Sequence, residues 1–508
     1  MSALLLGIDI GTSSSKAVLA RPDGTVVAQA RVPHAVSMPR PGWAEHDAEQ
    51  VWWADVVALC RQLLPTADGT VAAVSVSGLG PCLLPVDADG SPLRPAILYG
   101  IDTRATREID ELTERYGAEE LLRRGGSVLT SQAIGPKLAW LRRHEPDVYA
   151  RTDRFLMASS YVVERLTGAY VLDHHSASQC DPLYDLHAAA WIPGVAADIA
   201  PGIRLPSLLW PGEIAGRVDA HAAMVTGVPV GTPVTAGTVD AWAEALSAGV
   251  EKTGDCMLMY GTTMFLVEIL DQPLTDARLW ATRGIDPGSC SLAGGTATSG
   301  AVTDWLRELT GARFEDLTAE AEQVAAGSHG LVMLPYFAGE RTPLFDPDAR
   351  GAILGLTLRH NRAHLYRAAL EATAYAVRHH LEVMDELGAR PTRLIAVGGG
   401  TTADLWTQIV SDVTGRTQEL PDQRIGASYG DALLAARAVD LADRTTTWAT
   451  IGRSVEPRAG TSDVYEDLYT VYRDLYRATR EQAHALAEQQ RLADLAHPAA
   501  HPTSTSAV

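Results

Sequence analysis

Two copies of one short pattern limit what this chain can become more than any other feature. The first is Leu4-Leu-Leu-Gly-Ile-Asp-Ile-Gly-Thr-Ser-Ser-Ser-Lys-Ala-Val-Leu19, where an acidic, hydroxyl-rich glycine turn sits between two apolar runs. Leu4 to Ile8 and Ala17 to Leu19 read as buried strands, with Gly11-Thr12-Ser13 bending the chain so that backbone N–H groups and hydroxyls face an anion. On this reading Asp9 holds a cation through water and Lys16 adds positive charge. An ordinary hairpin with a polar turn would look the same in isolation. The second copy, Cys256-Met-Leu-Met-Tyr-Gly-Thr-Thr-Met-Phe-Leu-Val-Glu268, again sets a Gly-Thr turn between apolar runs near the middle of the chain. Two such units predict a duplicated architecture, one phosphate-facing hairpin from each lobe, with nucleotide in the cleft between them. Neither is a P-loop, which needs G-x-x-x-x-G-K-[ST] between a strand and a helix.

A length of 508 residues exceeds what one core usually serves. The expected division is a domain over 1–249, a second over 250–490, and a disordered tail over 491–508 that ends in a proline-punctuated run from His497 to Val508. The net charge of -20 argues against nonspecific binding of nucleic acid or an anionic membrane, while a local cluster of donors can still hold a small anion. No stretch approaches the ~18 consecutive apolar residues of a spanning helix, and the N-terminus has no basic region followed by a long apolar segment and a small-residue cleavage site, so a secretory signal is not expected there. Cys60, Cys82, Cys180, Cys256 and Cys290 are odd in number and widely spaced, which reads as reduced thiols in a cytoplasmic protein.

Further along, Thr25 to Val32 reads as a strand and Ala48 to Leu64 as a helix. Val71 to Ser77 is a buried strand ending in Gly78-Leu79-Gly80-Pro81, where backbone can approach a ligand at the carboxyl edge of an α/β sheet. Arg104 to Arg124 and Lys137 to His144 read as helices with solvated charges. Pro229 to Ala236 is a strand leading through Gly237-Thr-Val-Asp240 into a helix over Ala241 to Ala248. Asp240 there is an ordinary helix cap or, taken with the two hairpins, a general base beside nucleotide. Leu394 to Val397 precedes Gly398-Gly-Gly400 and a helix over Leu405 to Thr414, a junction that lets backbone contact a nucleotide. His34, His46 and His379-His380 show no metal-ligand spacing.

Taken in order, these segments resemble the FGGY carbohydrate kinases of the actin, Hsp70 and hexokinase fold superfamily. The resemblance covers about residues 4 to 440 and includes Pro41-Gly-Trp-Ala-Glu45, Asp102-Thr-Arg104, Pro136-Lys-Leu-Ala-Trp-Leu141, Tyr260-Gly-Thr-Thr263 and Gly339-Glu-Arg-Thr-Pro343. The family's C-terminal signature is matched by Gly351-Ala-Ile-Leu-Gly-Leu356 continuing to His364-Leu-Tyr-Arg-Ala-Ala-Leu-Glu371. Its N-terminal signature fits at Pro136, Lys137 and Trp140 but not at Gln132 and Ile134. Among the branches, Pro41 to Glu45, Leu93-Arg-Pro-Ala-Ile-Leu98 and the Gly-Glu-Arg-Thr-Pro segment look most like xylulose kinases. Two positions depart from them: Leu79-Gly80 stands where those kinases carry Met-His, and Asp240-Ala241 where they carry Asp-Asn.

The resemblance implies an α/β fold of two ribonuclease H-like domains with an interdomain cleft, and transfer of phosphate from ATP to a sugar hydroxyl with Mg²⁺. It implies Asp9 at the metal, and Thr12, Ser13 and Lys16 at the transferred phosphate. Gly261 and Thr262 hold phosphate from the other lobe, Gly300, Asp304, Gly399 and Gly400 line the nucleotide, and Asp240 accepts the hydroxyl proton. For the sugar it points to Leu79, Gly80, Asp102 and Asp240, with Trp43 as wall or core and Arg341 as a brace for Glu340 or the cleft. A ketopentose of xylulose type is the expected acceptor. Ribulose, glycerol, gluconate and other polyols are the alternatives, and a regulatory ATPase of the same superfamily is a more distant one. The reading is compatible with a homodimer.

Overall fold

The computed structural model describes residues 2–496. The first sheet has seven strands: β1 (Ser2–Ile10), β2 (Ser14–Ala20), β3 (Val26–Pro33), β4 (Gly69–Gly78), β5 (Ile214–Arg217), β6 (Pro233–Thr235) and β7 (Thr238–Val239). They run β5-β6-β4-β1-β2-β3, with β7 also on β4. Leu4 to Ile10 is buried without a break, as expected of a central strand covered on both faces. In β3 exposed and half-buried residues alternate along Ala30 to Pro33, as suits an edge strand.

The second sheet repeats the plan. Its strands are β8 (Asp255–Tyr260), β9 (Met264–Leu270), β10 (Trp280–Arg283), β11 (Cys290–Gly295), β12 (Arg393–Val397), β13 (Gln418–Pro421) and β14 (Ile451–Val455), ordered β10-β11-β9-β8-β12-β13-β14. In both sheets the opening strand pairs antiparallel with the next and parallel with a later one: β1 with β2 and β4, β8 with β9 and β12. The duplicated two-domain α/β fold expected from the two hairpins is what the chain adopts.

The helices that matter for the site are α1 (Ala54–Leu63), α2 (Thr106–Tyr116), α3 (Ala118–Gly125), α4 (Ile134–His144), α5 (Asp240–Ser247), α6 (Gly300–Thr310), α7 (Arg362–Glu386), α8 (Asp404–Thr414), α9 (Ala427–Ala438) and α10 (Ser462–Ala496). Helices α5 and α9 lie between the sheets. Their Trp242, Leu246, Leu433 and Leu434 share one core with Leu5 and Val18 of the first sheet and Met257, Val267 and Ile395 of the second. Each large aliphatic side chain fully buried there contributes roughly 1.5–3 kcal/mol. The approach is close enough to require glycine: a Cβ on Gly7 would lie 1.9 Å from Ser428 O, and one on Gly430 would lie 1.9 Å from Ala243 O. Thus α9, from late in the chain, closes the face of the first sheet.

Several local expectations change. The helix expected over Arg104 to Arg124 is two helices, because Gly117 adopts φ +82°, where an L side chain is disfavoured, and breaks the run. The one expected over Ala48 to Leu64 begins as a π-helical turn, Ala48–Trp53, before α1. Only Pro233–Thr235 of the 229–236 segment joins a sheet. Residues 491–496 end α10 rather than opening a tail, and the rest of the expected tail, 497–508, lies outside the described residues. No described helix is long and apolar enough to cross a membrane.

Candidate active site

The first hairpin sets three polar side chains side by side. Asp9 on β1 is in register with Lys16 on β2 and with Ser77 on β4, and residues directly opposite on neighbouring strands share a face of the sheet. One register step beyond Ser77, Gly78 pairs with Val239 of β7, so α5 starts at the same edge with Asp240 as its first residue. Asp9, Thr12, Lys16, Asp240 and Glu244 line one cavity of about 410 Å³. Glu244 enters it because it lies four residues beyond Asp240, on the same helix face.

The electrostatics follow from burial. Asp9 is 5% exposed, and burial, reinforced by the nearby Asp240 charge, pushes its carboxyl up to about 8 against the pull of Lys16. Burial also holds Asp240 and Glu244 above the usual carboxylate range, again opposed by Lys16. Lys16 forms no contact ion pair with any of the three, so its ammonium remains available to an incoming anion. Asp240 Oδ1 accepts the Ala241 N–H at 2.7 Å. Oδ2 has no protein partner among the described residues, which separates Asp240 from a residue that only caps its helix. Asp9 Oδ1 is likewise buried with no hydrogen bond. The described residues contain no cluster of three or more His, Cys, Asp or Glu able to cage a metal ion.

Thr12, whose hydroxyl meets that of Tyr99 at 3.0 Å, and Ser13, exposed at the turn, line the same cavity. Gly261 and Thr262 form a turn seated on the start of α6: Gly300 N–H donates to Gly261 O at 3.0 Å, and Ser299 and Ala301 N–H donate to Thr262 O at 2.9 and 3.1 Å. A Cβ on Gly300 would lie 2.7 Å from Gly261 O, so glycine is what lets the turn dock. Thr263, one residue on, is the member of this turn that lines the cavity. Gly399 and Gly400 begin a 3₁₀ turn at the end of β12; a Cβ on Gly400 would lie 2.6 Å from the Trp406 ring, while Gly399 faces open space. Asp304 sits part-exposed on α6, 2.7 Å from Arg307, away from the cavity.

On the sugar side, Leu79 and Gly80 line the cavity. The missing side chain at Gly80 does not widen it, because a Cβ there would lie 2.9 Å from Val239 Cγ2. Asp102 is turned away. Its Oδ2 accepts the Ala44 N–H at 2.7 Å and bonds Arg104 Nη2 at 2.6 Å, and Asp102 does not line the cavity. Trp43 packs edge-on against Trp140 with its ring 3.9 Å from the Arg104 guanidinium carbon, so it supports that ion pair from outside the cavity.

Sequence reasoning missed several lining residues. Tyr99, Trp280, Phe265 and Asp181 lie in the cavity wall, and so does Arg341, expected as a brace for Glu340 or the cleft. Arg341 Nη2 donates to Thr296 O at 2.6 Å, while Glu340 is held by the Ala297 and Arg341 backbone N–H groups at 2.7 and 2.8 Å. Only Glu244 carried a readable signal, its four-residue spacing from Asp240.

The FGGY family of carbohydrate kinases matches in its N-terminal domain over residues 4–247 and in its C-terminal domain over residues 256–439. The chain is 31% identical to a xylulose kinase of Escherichia coli (strain K12) over 444 residues, 86% of this chain and 90% of that protein. It is 27% identical to a gluconokinase of Bacillus subtilis (strain 168) over 464 residues, 87% of this chain and 89% of that protein. Its fold superposes on the crystal structure of xylulose kinase from Rhodospirillum rubrum with TM-score 0.88 and 34% identity, covering 95% of this chain and 100% of that one. A paired-hairpin cleft, its carboxylates and these matches across both halves lead to one assignment: the chain belongs to the FGGY family of carbohydrate kinases.

Proposed function

We propose that this protein transfers the γ-phosphoryl group of ATP to a hydroxyl of a ketopentose of xylulose type or a related polyol, with Asp240 as general base. The observation that carries the reading is the shared cavity of Asp240, Lys16 and Asp9 at the edge of the first hairpin. Phosphoryl transfer depends on positioning and charge neutralisation more than on covalent chemistry. Asp240 Oδ2 is free to take the proton of the attacking hydroxyl while Oδ1 stays anchored to the Ala241 N–H. Lys16 and the turn at Thr12-Ser13 orient the phosphoryl group from the first lobe.

The second lobe, divided from the first near residues 249 and 250, presents the Gly261-Thr262 turn to nucleotide phosphate. Gly300, Gly399 and Gly400 keep backbone accessible beside the nucleotide, and Asp304 would join them only by leaving Arg307. The residues fit Mg²⁺: Asp9 Oδ1 is buried without a partner, and a hard cation that keeps water and phosphate oxygens needs few protein ligands. When bound, Mg²⁺ neutralises charge on the phosphates. Gluconate is the second acceptor reading, supported by the similarity to a gluconokinase.

A coupled assay of ADP release across pentuloses, hexuloses, polyols and aldonates tests the proposal. Release that depends on an added ketose or polyol is expected. ATP hydrolysis indifferent to every acceptor would overturn it.

A further inference from the structure

The cavity has a second acidic wall that the chemistry above does not use. Asp181, shortly after the helical turn His174–Ala177, lines the same cavity as Asp240. It is 6% exposed, and among the described residues its Oδ1 accepts no hydrogen bond. A buried carboxyl without a partner is costly, and a cavity beside it is where a partner can arrive.

The surroundings are shaped to admit this side chain. A Cβ on Gly125, at the end of α3, would lie 2.0 Å from Asp181 Oδ1, and one on Gly135, in α4, would lie 2.5 Å from Asp181 O. Gly135 N–H donates to that carbonyl at 2.9 Å. Neighbouring polar groups are committed elsewhere: the Gln179 amide nitrogen meets His175 Nε2 at 2.7 Å, and Ser178 Oγ donates to His175 O at 2.6 Å.

Burial holds the Asp181 carboxyl well above the ordinary range. A protonated carboxyl donates one hydrogen bond and accepts another, a match for a hydroxyl. A carboxylate in the same place can only accept, so it leaves the acceptor oxygen of Asp181 unmatched and faces a like charge whenever Asp181 ionises.

We infer that Asp181 is a specificity-determining residue of the acceptor site, hydrogen-bonding a hydroxyl of an uncharged ketose or polyol and selecting against acceptors that end in a carboxylate. The inference rests on the kinase reading above and names the acceptor class of that same site.

The test compares wild type, Asp181→Asn and Asp181→Leu on D-xylulose, a series of pentitols and D-gluconate, together with thermal denaturation in sugar alone. Asp181→Leu should lower kcat/KM for the best neutral acceptor about 10- to 100-fold, mainly through KM, with the KM for ATP unchanged. Asp181→Asn should stay within about 5-fold of wild type on neutral acceptors and raise the gluconate-to-neutral ratio about 10-fold, because an amide N–H can meet a carboxylate without repulsion. An unchanged ratio in Asp181→Asn, or a folded Asp181→Leu with undiminished kcat/KM, would overturn the inference. Should Asp181→Leu fail to fold, the Asn ratio and the sugar-induced thermal shift decide. Wild type inactive on every acceptor removes the kinase reading and this inference with it, whereas active wild type with insensitive variants removes only the role of Asp181.

Discussion

Ser77 Oγ donates to Asp431 Oδ2 at 2.6 Å, joining the strand end beside Asp9 to a helix 354 residues later in the chain. Asp431 Oδ1 has no hydrogen bond among the described residues, and burial holds this carboxyl well above its ordinary range. This bond ties α9 to the residue of β4 that stands in register with Asp9. Ser77→Ala removes this hydrogen bond from a buried carboxyl and should cost about 1–3 kcal/mol in urea unfolding. Asp431→Asn keeps an oxygen for Ser77 and should cost less than about 1 kcal/mol. Equal losses from the two variants would count against this account.

Asp240→Asn keeps the shape of the side chain and removes the proton acceptor. General-base loss typically costs ~10²- to 10⁴-fold in rate, so kcat should fall by that order while ATP affinity, measured by calorimetry, stays near that of wild type. Near-normal kcat would sink the assignment.

Stability should depend on pH through Asp9. Its carboxyl is raised to about 8 in the folded protein from an ordinary value of 3.8. Between these values the folded state holds a proton that the unfolded state has released, so this contribution is full below pH ~4 and is lost as pH rises through about 8. Buried His175 and His380, lowered to about 4, act in the opposite direction at acid pH. The clean readout is therefore the stability of wild type minus that of Asp9→Asn, which should decline from pH 5 to pH 8 without Mg²⁺. A flat difference would show that Asp9 is already ionised.

The close crossing of α9 over α5 admits no extra carbon. Gly430→Ala would set a methyl 1.9 Å from Ala243 O, and overpacking of this kind typically costs 1–3 kcal/mol. Because Ala243 follows Asp240 by three residues on the same helix, kcat should fall together with the melting temperature. A variant as stable as wild type would mean that the helices separate freely.

How much of this was legible beforehand divides along physical lines. The hairpins and the Asp240 junction were readable because strand, glycine turn and strand form a local pattern in which neighbours in sequence are neighbours in space. Asp102 was assigned to the sugar by resemblance, although Arg104 two residues later takes its oxygens. At Gly80, where xylulose kinases carry His, the absent side chain opens no room because Val239 faces it. Ser77 with Asp431, and Arg341 with Trp280, meet only through long-range packing, which no local periodicity encodes. Gly117 was visible as a glycine inside a charged helical run, but its positive φ is a property of how α2 and α3 turn against their neighbours.

Because α9 covers a face of the first sheet, the order of synthesis runs against the order of assembly. Leu5 and Val18 leave the ribosome some four hundred residues ahead of Leu433, with which they share a core. The first lobe must wait, with apolar surface uncovered, until translation has passed Ala438. A chain cut anywhere between the two hairpins and α9 would yield no finished lobe at all, so premature termination should produce aggregation-prone fragments and a late, single step to the native state.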